Sequence, residues 1–180
     1  MNDTSTGTGK TVVNRAMSLD GFIAGPGHAM GWIADYLTAD TFPEVMAATG
    51  AMLVGRGTYE VAKGMAAEDT SYDGGPQFVL THEPPGEPDP TVTFLTCGIE
   101  EAVATARGAA GGRNLEILGA DVAGQCLRRG LVDEILVYVL PVLLGDGVRF
   151  SPPGLGRIDL EPVATTRSGA VTMLRFRVRK

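Results

Sequence analysis

Short apolar segments recur along the chain, and their spacing sorts them into strands and helices. Thr11 to Leu19 (TVVNRAMSL) is rich in β-branched and apolar residues and predicts a first strand. Asp20 to Gly31 (DGFIAGPGHAMG) is loaded with Gly and Pro and predicts a loop, with at most a short strand through Phe22 to Ala24. Phe42, Val45, Met46 and Thr49 stand at three- and four-residue spacing. They predict a helix over Thr41 to Thr49, capped by Thr41 and with Pro43 in its first turn. Ala51–Val54, Gln77–Thr81, Val92–Thr96 and Leu115–Leu118 have the length and composition of short strands. Thr58–Met65, Ile99–Ala106 and Asp121–Arg129 predict helices, the last two closed by glycines. Glu134–Leu144 predicts the longest strand. Around Ser168-Gly169, Val171, Met173, Phe176 and Val178 stand among polar residues and predict a terminal antiparallel hairpin.

Strands that alternate with helices in this way indicate the α/β class. The expected architecture is a three-layer α/β/α sandwich around a mixed, mostly parallel sheet, with the hairpin as its antiparallel part. No linker or internal repeat divides the chain, so residues 11–180 are expected to form one domain after a flexible tail, 1–10.

Composition narrows the function classes. Twenty-one acidic and fifteen basic residues give a net charge of −6, which argues against general affinity for nucleic acid or anionic lipid. An anionic small molecule stays open, because a few backbone amides and one arginine can bind phosphate locally. The longest apolar run, Ile135–Leu144, is about half of what a membrane helix needs and contains Pro141. Met1–Lys10 is small and polar and does not read as a leader. Cys97 and Cys126 form no CxxC pair, so a reduced, cytoplasmic setting is expected. With His28 and His82 as the only histidines, zinc enzymes and Ser-His-Asp hydrolases have little raw material, and no metal site is expected.

Two motifs fail on spacing. Thr6–Thr11 (TGTGKT) invites a phosphate-loop reading, but Thr4 stands where that loop needs its first glycine, and the segment precedes a strand instead of following one. No GxGxxG occurs. Three strand ends carry better chemistry for a phosphate-bearing ligand. At Leu53-Val54-Gly55-Arg56-Gly57-Thr58 a buried strand ends at Gly55 beside a helix start, with a hydroxyl and a full positive charge; a plain cap with a solvated arginine is the alternative. Val79-Leu80-Thr81-His82 ends a strand in a hydroxyl, which an ordinary turn exit would also explain. Leu118-Gly119-Ala120-Asp121-Val122 passes through small residues into a helix, where Asp121 would cap but opposes an anion. Strand ends of one parallel sheet open on one edge, where α/β sheets bind ligands.

The chain resembles the dihydrofolate reductase superfamily, in particular the reductase domain of the bifunctional riboflavin-biosynthesis enzyme and its stand-alone relatives. The similar segments are Met17–Ala24 (MSLDGFIA), Val54–Glu60 (VGRGTYE), Val79–Thr81, Gly119–Val122, Gly130–Glu134 and Pro141–Gly147. That resemblance implies NADPH as cofactor. Gly55, Arg56 and Thr58 would hold its phosphates, with Leu80 and Thr81 near the adenosine 2′-phosphate. The turn Gly119, Ala120, Asp121 and Val122 would carry the pyrophosphate. Ala16 would meet the nicotinamide amide and Ile23 its ring, under a flap resembled by Gly25–Trp32. Relatives carry consecutive glycines where Leu118 stands. A folate-binding carboxylate after the flap has no counterpart at the expected distance, Asp35 and Asp40 being the acids available, and the zinc-binding deaminase half is absent.

The implied activity is NADPH-dependent hydride transfer to a pyrimidine-, pterin- or sugar-derived carbonyl or imine, like 5-amino-6-(5-phosphoribosylamino)uracil reductase. Ser18 and Asp20 are the expected substrate contacts. Asp20 either orients a substrate hydroxyl, supplies the proton, or caps the turn into Gly21. An NADPH- or flavin-binding protein without efficient turnover is the alternative. A small-molecule substrate and a homodimer are the expected partners, with neither nucleic acid nor membrane.

Overall fold

The strand at the centre of the sheet is the one the apolar pattern places first. A computed structural model describes residues 9–38, 41–65 and 75–180; most of the expected tail, including Thr6–Thr8, and Asp40 lie outside them. Strand β1 (Thr11–Ser18) runs parallel to β6 (Asn114–Leu118) on one side and β7 (Glu134–Leu140) on the other. Beyond β6 follow β3 (Thr49–Gly55), β4 (Gln77–Leu80) and β5 (Val92–Leu95), all parallel. Beyond β7, β10 (Val171–Val178) and β9 (Leu160–Ser168) pair antiparallel, which completes the order β5-β4-β3-β6-β1-β7-β10-β9. Two short strands, β2 (Phe22–Ala24) and β8 (Val148–Arg149), pair separately. The mixed, mostly parallel sheet with its closing hairpin is the expected one.

Side chains alternate across the sheet, so each strand feeds two cores. On one face Val13, Ala51, Leu53, Leu115, Ile117 and Ile135 pack under α3 (Ile99–Ala109) and α4 (Ala120–Arg128), through Ala102, Val103, Ala106, Val122, Ala123 and Cys126. Small residues on the helices let them lie close to the large ones on the strands. The other face is split. Val12, Leu136, Tyr138, Leu140 and Met173 pack with Phe42 and Val45 beside α1 (Pro43–Ala48). Val54 and Val79 pack with Tyr59 of α2 (Arg56–Lys63). The strip between these clusters falls on β6 and β1, where the register sets Met52, Glu116 and Val12 side by side.

Element ends differ from the sequence reading for local reasons. Thr41 does not cap α1: its Oγ accepts the Thr38 amide at 2.9 Å in the preceding turn, and Phe42 stands at the cap without a side-chain bond. The helix stops at Ala48 and the strand begins at once with Thr49. Helix α2 starts at Arg56, not Thr58, with Gly55 as its cap, and α4 starts at Ala120 after Gly119. Asp121 is therefore no cap; it accepts from Gln125 one turn on, at 2.9 Å. Strand β7 ends at Leu140, because Pro141 has no amide to continue the ladder. Lys10, the lysine of the rejected phosphate-loop motif, pairs with Glu134 at 2.5 Å.

Candidate functional site

The carboxyl ends of β3, β4 and β6 lie next to one another because the three strands are parallel and in register. Two of them feed helices at once. Gly55 leads into α2 and Gly119 into α4, so free amides of two helix N-termini face the same edge. Gly119 has φ 88°, which favours glycine, and a methyl group there would collide with Thr58 Oγ1. That contact shows how closely α2 and α4 approach, although they belong to opposite layers. The third strand end joins them through a shared acceptor. Arg56 Nη1 donates to the Glu83 carbonyl at 2.7 Å and Thr81 Oγ1 donates to the same oxygen at 2.9 Å, while Arg56 Nε pairs with Glu60 at 2.8 Å.

A continuous cavity of about 1060 Å³ opens from this edge and runs between α1 and α2 along the split face. Gly55, Arg56, Thr58, Leu80, Thr81, Gly119, Ala120, Asp121 and Val122 line it, as do Ala16 and Ile23. All eleven residues expected around a cofactor are thus brought to one space. The segment Gly25–Trp32 folds into two short turns, Pro26–His28 and Gly31–Ile33, the second tied back by Trp32 Nε1 donating to the Ala29 carbonyl at 3.2 Å. Met30 and Ile33 close the cavity on that side.

Among the lining residues that the sequence reading did not single out are Asn14, Arg15, Glu116 and Tyr138. Arg15 is 6% exposed. Its Nη1 donates to the Phe150 carbonyl at 3.1 Å and its Nη2 to the Gly119 carbonyl, while Nε has no partner. Burial brings its pKa down to about 10, so it remains a cation at neutral pH. No carboxylate pairs with it among the described residues. An unneutralised buried cation beside a helix N-terminus is suited to a nearby anion. Asn14, Glu116 and Tyr138 line the inner end. Tyr138 stacks on Phe42 with ring centroids 5.1 Å apart, and burial pushes its hydroxyl well above the usual tyrosine range. Burial likewise raises the Glu116 carboxyl. The signal in the sequence is that Asn14, Arg15 and Glu116 interrupt apolar runs of central strands, where a polar residue is costly unless it has a partner.

Ser18 and Asp20, expected as substrate contacts, do not line the cavity. Ser18 is fully buried; its Oγ donates to Asp20 Oδ1 at 2.6 Å and accepts the Phe22 amide at 2.9 Å. Asp20 also accepts the amides of Leu144 and Gly145, at 3.1 and 2.7 Å. The Ser18 hydroxyl, with these backbone amides, holds the Asp20 carboxyl down to about 2. It is an anion that ties the end of β1 to the segment after β7. Among the described residues no group of three or more His, Cys, Asp or Glu is placed to hold a metal ion, and no helix is long and apolar enough to cross a membrane.

Parallel strands with two helix N-termini on one edge, over a cavity that continues beneath the sheet, define a dihydrofolate reductase-like fold. Residues 10–174 match the RibD C-terminal domain, and the chain belongs to that family. It is 27% identical over 169 residues to the uncharacterized protein YwjB of Bacillus subtilis strain 168, covering 93% of this chain and 97% of that one. Among solved structures it is similar to a Shewanella sp. PV-4 protein provisionally assigned to riboflavin biosynthesis. That similarity has a TM-score of 0.80 at 22% identity, over 95% of this chain and 99% of that chain. It is also similar to dihydrofolate reductase from Enterococcus faecalis, solved with NADP(H), with a TM-score of 0.65 at 15% identity over 97% and 99% of the two chains. At identities this low, the structural similarity shows the fold alone. Family and fold together support a reductase-like function.

Proposed function

We propose that the protein is an NADPH-dependent reductase of a pyrimidine-, pterin- or sugar-derived carbonyl or imine, like 5-amino-6-(5-phosphoribosylamino)uracil reductase. The observation that carries this reading is the meeting of α2, α4 and buried Arg15 on one cavity. Two sets of helix N-terminal amides, a hydroxyl at Thr58 and an uncompensated cation fit a dinucleotide's phosphates. In this reading Arg56 and Thr58 hold phosphate, with Arg15 behind the Gly119–Val122 turn, and Leu80 and Thr81 lie toward the adenosine 2′-phosphate. Ala16 and Ile23 adjoin the nicotinamide. When bound, the reduced nicotinamide supplies a hydride to an electrophilic carbon. The chain's part is to orient the two reactants, exclude water with the Met30 and Ile33 side of the flap, and supply a proton.

The test is calorimetry with NADPH and NADH, followed by loss of the NADPH absorbance band on adding pyrimidine and pterin substrates. Binding of NADPH with oxidation by one of them supports the reading. Binding without oxidation by any of them overturns the substrate class and favours a cofactor-binding protein without turnover. Binding of neither dinucleotide overturns the cofactor. A single domain over residues 11–180, a homodimer and a cytoplasmic setting complete the proposal; sedimentation of the purified chain checks the dimer.

A further inference from the structure

Glu116 lines the inner end of the cavity. It stands mid-strand on β6, in the strip between the clusters around α1 and α2, and is 6% exposed. Its Oε2 accepts from Asn14 Nδ2 at 3.1 Å. Its Oε1 lies 2.7 Å from Thr49 Oγ1, and that same hydroxyl lies 2.8 Å from the Val45 carbonyl. A hydroxyl has one hydrogen to donate. Val45 lies in the six-residue helix α1, whose last carbonyls have no partner within the helix. Thr49, four residues on, is placed to donate to it. With that hydrogen committed to Val45, the short contact to Glu116 is a bond only if the carboxyl carries its own hydrogen and donates to Thr49 Oγ1. The chain of donors then runs from Glu116 through Thr49 to Val45, with Asn14 satisfying the remaining carboxyl oxygen.

The charges around the site agree. From β1 and β3 the facing groups are the neutral Asn14 and Thr49, and from β7 the un-ionised phenol of Tyr138. Arg175 of β10 acts on Glu116 electrostatically, but its Nη1 bonds to Glu134 at 3.3 Å. Glu116 has no salt-bridge partner among the described residues. Burial of an unpaired carboxylate is expensive, and the neutral acid avoids that cost. The other candidate acid, Asp20, is ionised and turned away into backbone amides.

We propose that Glu116 is the proton donor of the reduction: a neutral carboxylic acid at the inner end of the cavity, oriented by Thr49 and Asn14. The inference rests on the reductase reading above. The step balances as follows. The substrate's C=N or C=O carbon gains a hydride, and its nitrogen or oxygen gains a proton as the Glu116 O–H bond breaks. The nicotinamide dinucleotide is the reductant and leaves oxidised by two electrons. The Glu116 carboxylate regains its proton from water.

Two measurements on the full chain test this. Infrared spectra at neutral pH, wild type minus E116Q, should show the carbonyl stretch of a protonated acid. Carboxylate bands in its place overturn the proposal whatever the substrate. Glutamine keeps the shape and can still donate to Thr49 but has no acidic proton. With NADPH and the pyrimidine or pterin that the wild type reduces, E116Q should therefore lower kcat by roughly 10²–10⁴-fold. KM and NADPH affinity, read from the fluorescence of the single tryptophan, Trp32, should stay within about threefold. The wild-type kcat should fall at high pH as Glu116 ionises. E116D should keep that limb, while E116Q should lose it. An E116Q kcat equal to the wild type overturns the donor role and leaves the reductase reading standing. A wild type that binds no NADPH, or binds it and reduces nothing, overturns both, even where the protonated-acid band is present.

Discussion

The two faces of the sheet are built from the same strands and do opposite work. Under α3 and α4 the contacts are alanine against leucine and isoleucine, with Ala51, Leu53, Ala102, Ala106, Leu115 and Ile117 without exposed surface. On the other face the apolar packing is interrupted at Asn14 and Glu116, and the interruption is where the cavity runs. Alternate residues of β1 and β6 supply both: Val13 and Ile117 to the filled side, Asn14 and Glu116 to the hollow one. At the inner end, core and cavity are thus separated by one residue of strand phase; toward the open edge Arg15, in phase with Val13, and Val122 reach the cavity from the filled side.

That separation can be broken from either side. The largest effect should come from Ile117→Ala. It leaves a void in the filled face, and urea unfolding should show a loss of about 2–5 kcal/mol, with NADPH affinity unchanged in the folded fraction. Arg15→Met should do the reverse. NADPH affinity should fall roughly 10–100-fold by calorimetry, while the unfolding midpoint holds or rises because a buried unpaired charge has been removed. Arg56→Ala, at an exposed site, should weaken NADPH roughly three- to tenfold and leave stability within about 0.5 kcal/mol.

The smallest effect is pH-dependent and belongs to neither face. The Asp20 carboxyl is held down to about 2 from 3.8, so the folded state binds its proton less readily than the unfolded chain does. Its contribution is present above the unfolded value and is lost as pH falls through the folded one. Asp20→Asn should therefore be less stable than wild type at pH 7, and the two thermal midpoints should converge near pH 2. A constant gap down to that pH would show that Asp20 contributes through packing instead of charge.

The filled face was largely legible from the apolar pattern, because short runs such as Leu115–Leu118 and Ala51–Val54 permit little else. The convergence at the edge was legible as well: Gly55, Arg56, Thr58 and Gly119–Val122 follow strands of one parallel sheet, and they line one cavity. What was missed depends on contacts far apart in sequence. Asp20 was read as a possible acid because nothing local reveals that Leu144 and Gly145, on the far side of β7, donate to it. Glu116 was passed over because its meaning lies in Asn14 and Thr49, which only sheet pairing brings beside it. Helix starts slipped by one or two residues where Gly55 and Gly119 took the cap in place of a side chain.

Gly119 against Thr58 is the place where the layer above the sheet touches the layer below it at the open rim. An anion seated on that seam, as proposed above, would clasp both helices at once. Ligand occupancy should therefore slow hydrogen exchange at the first turns of α2 and α4 in concert, as a clamp that stiffens both sides of a hinge together.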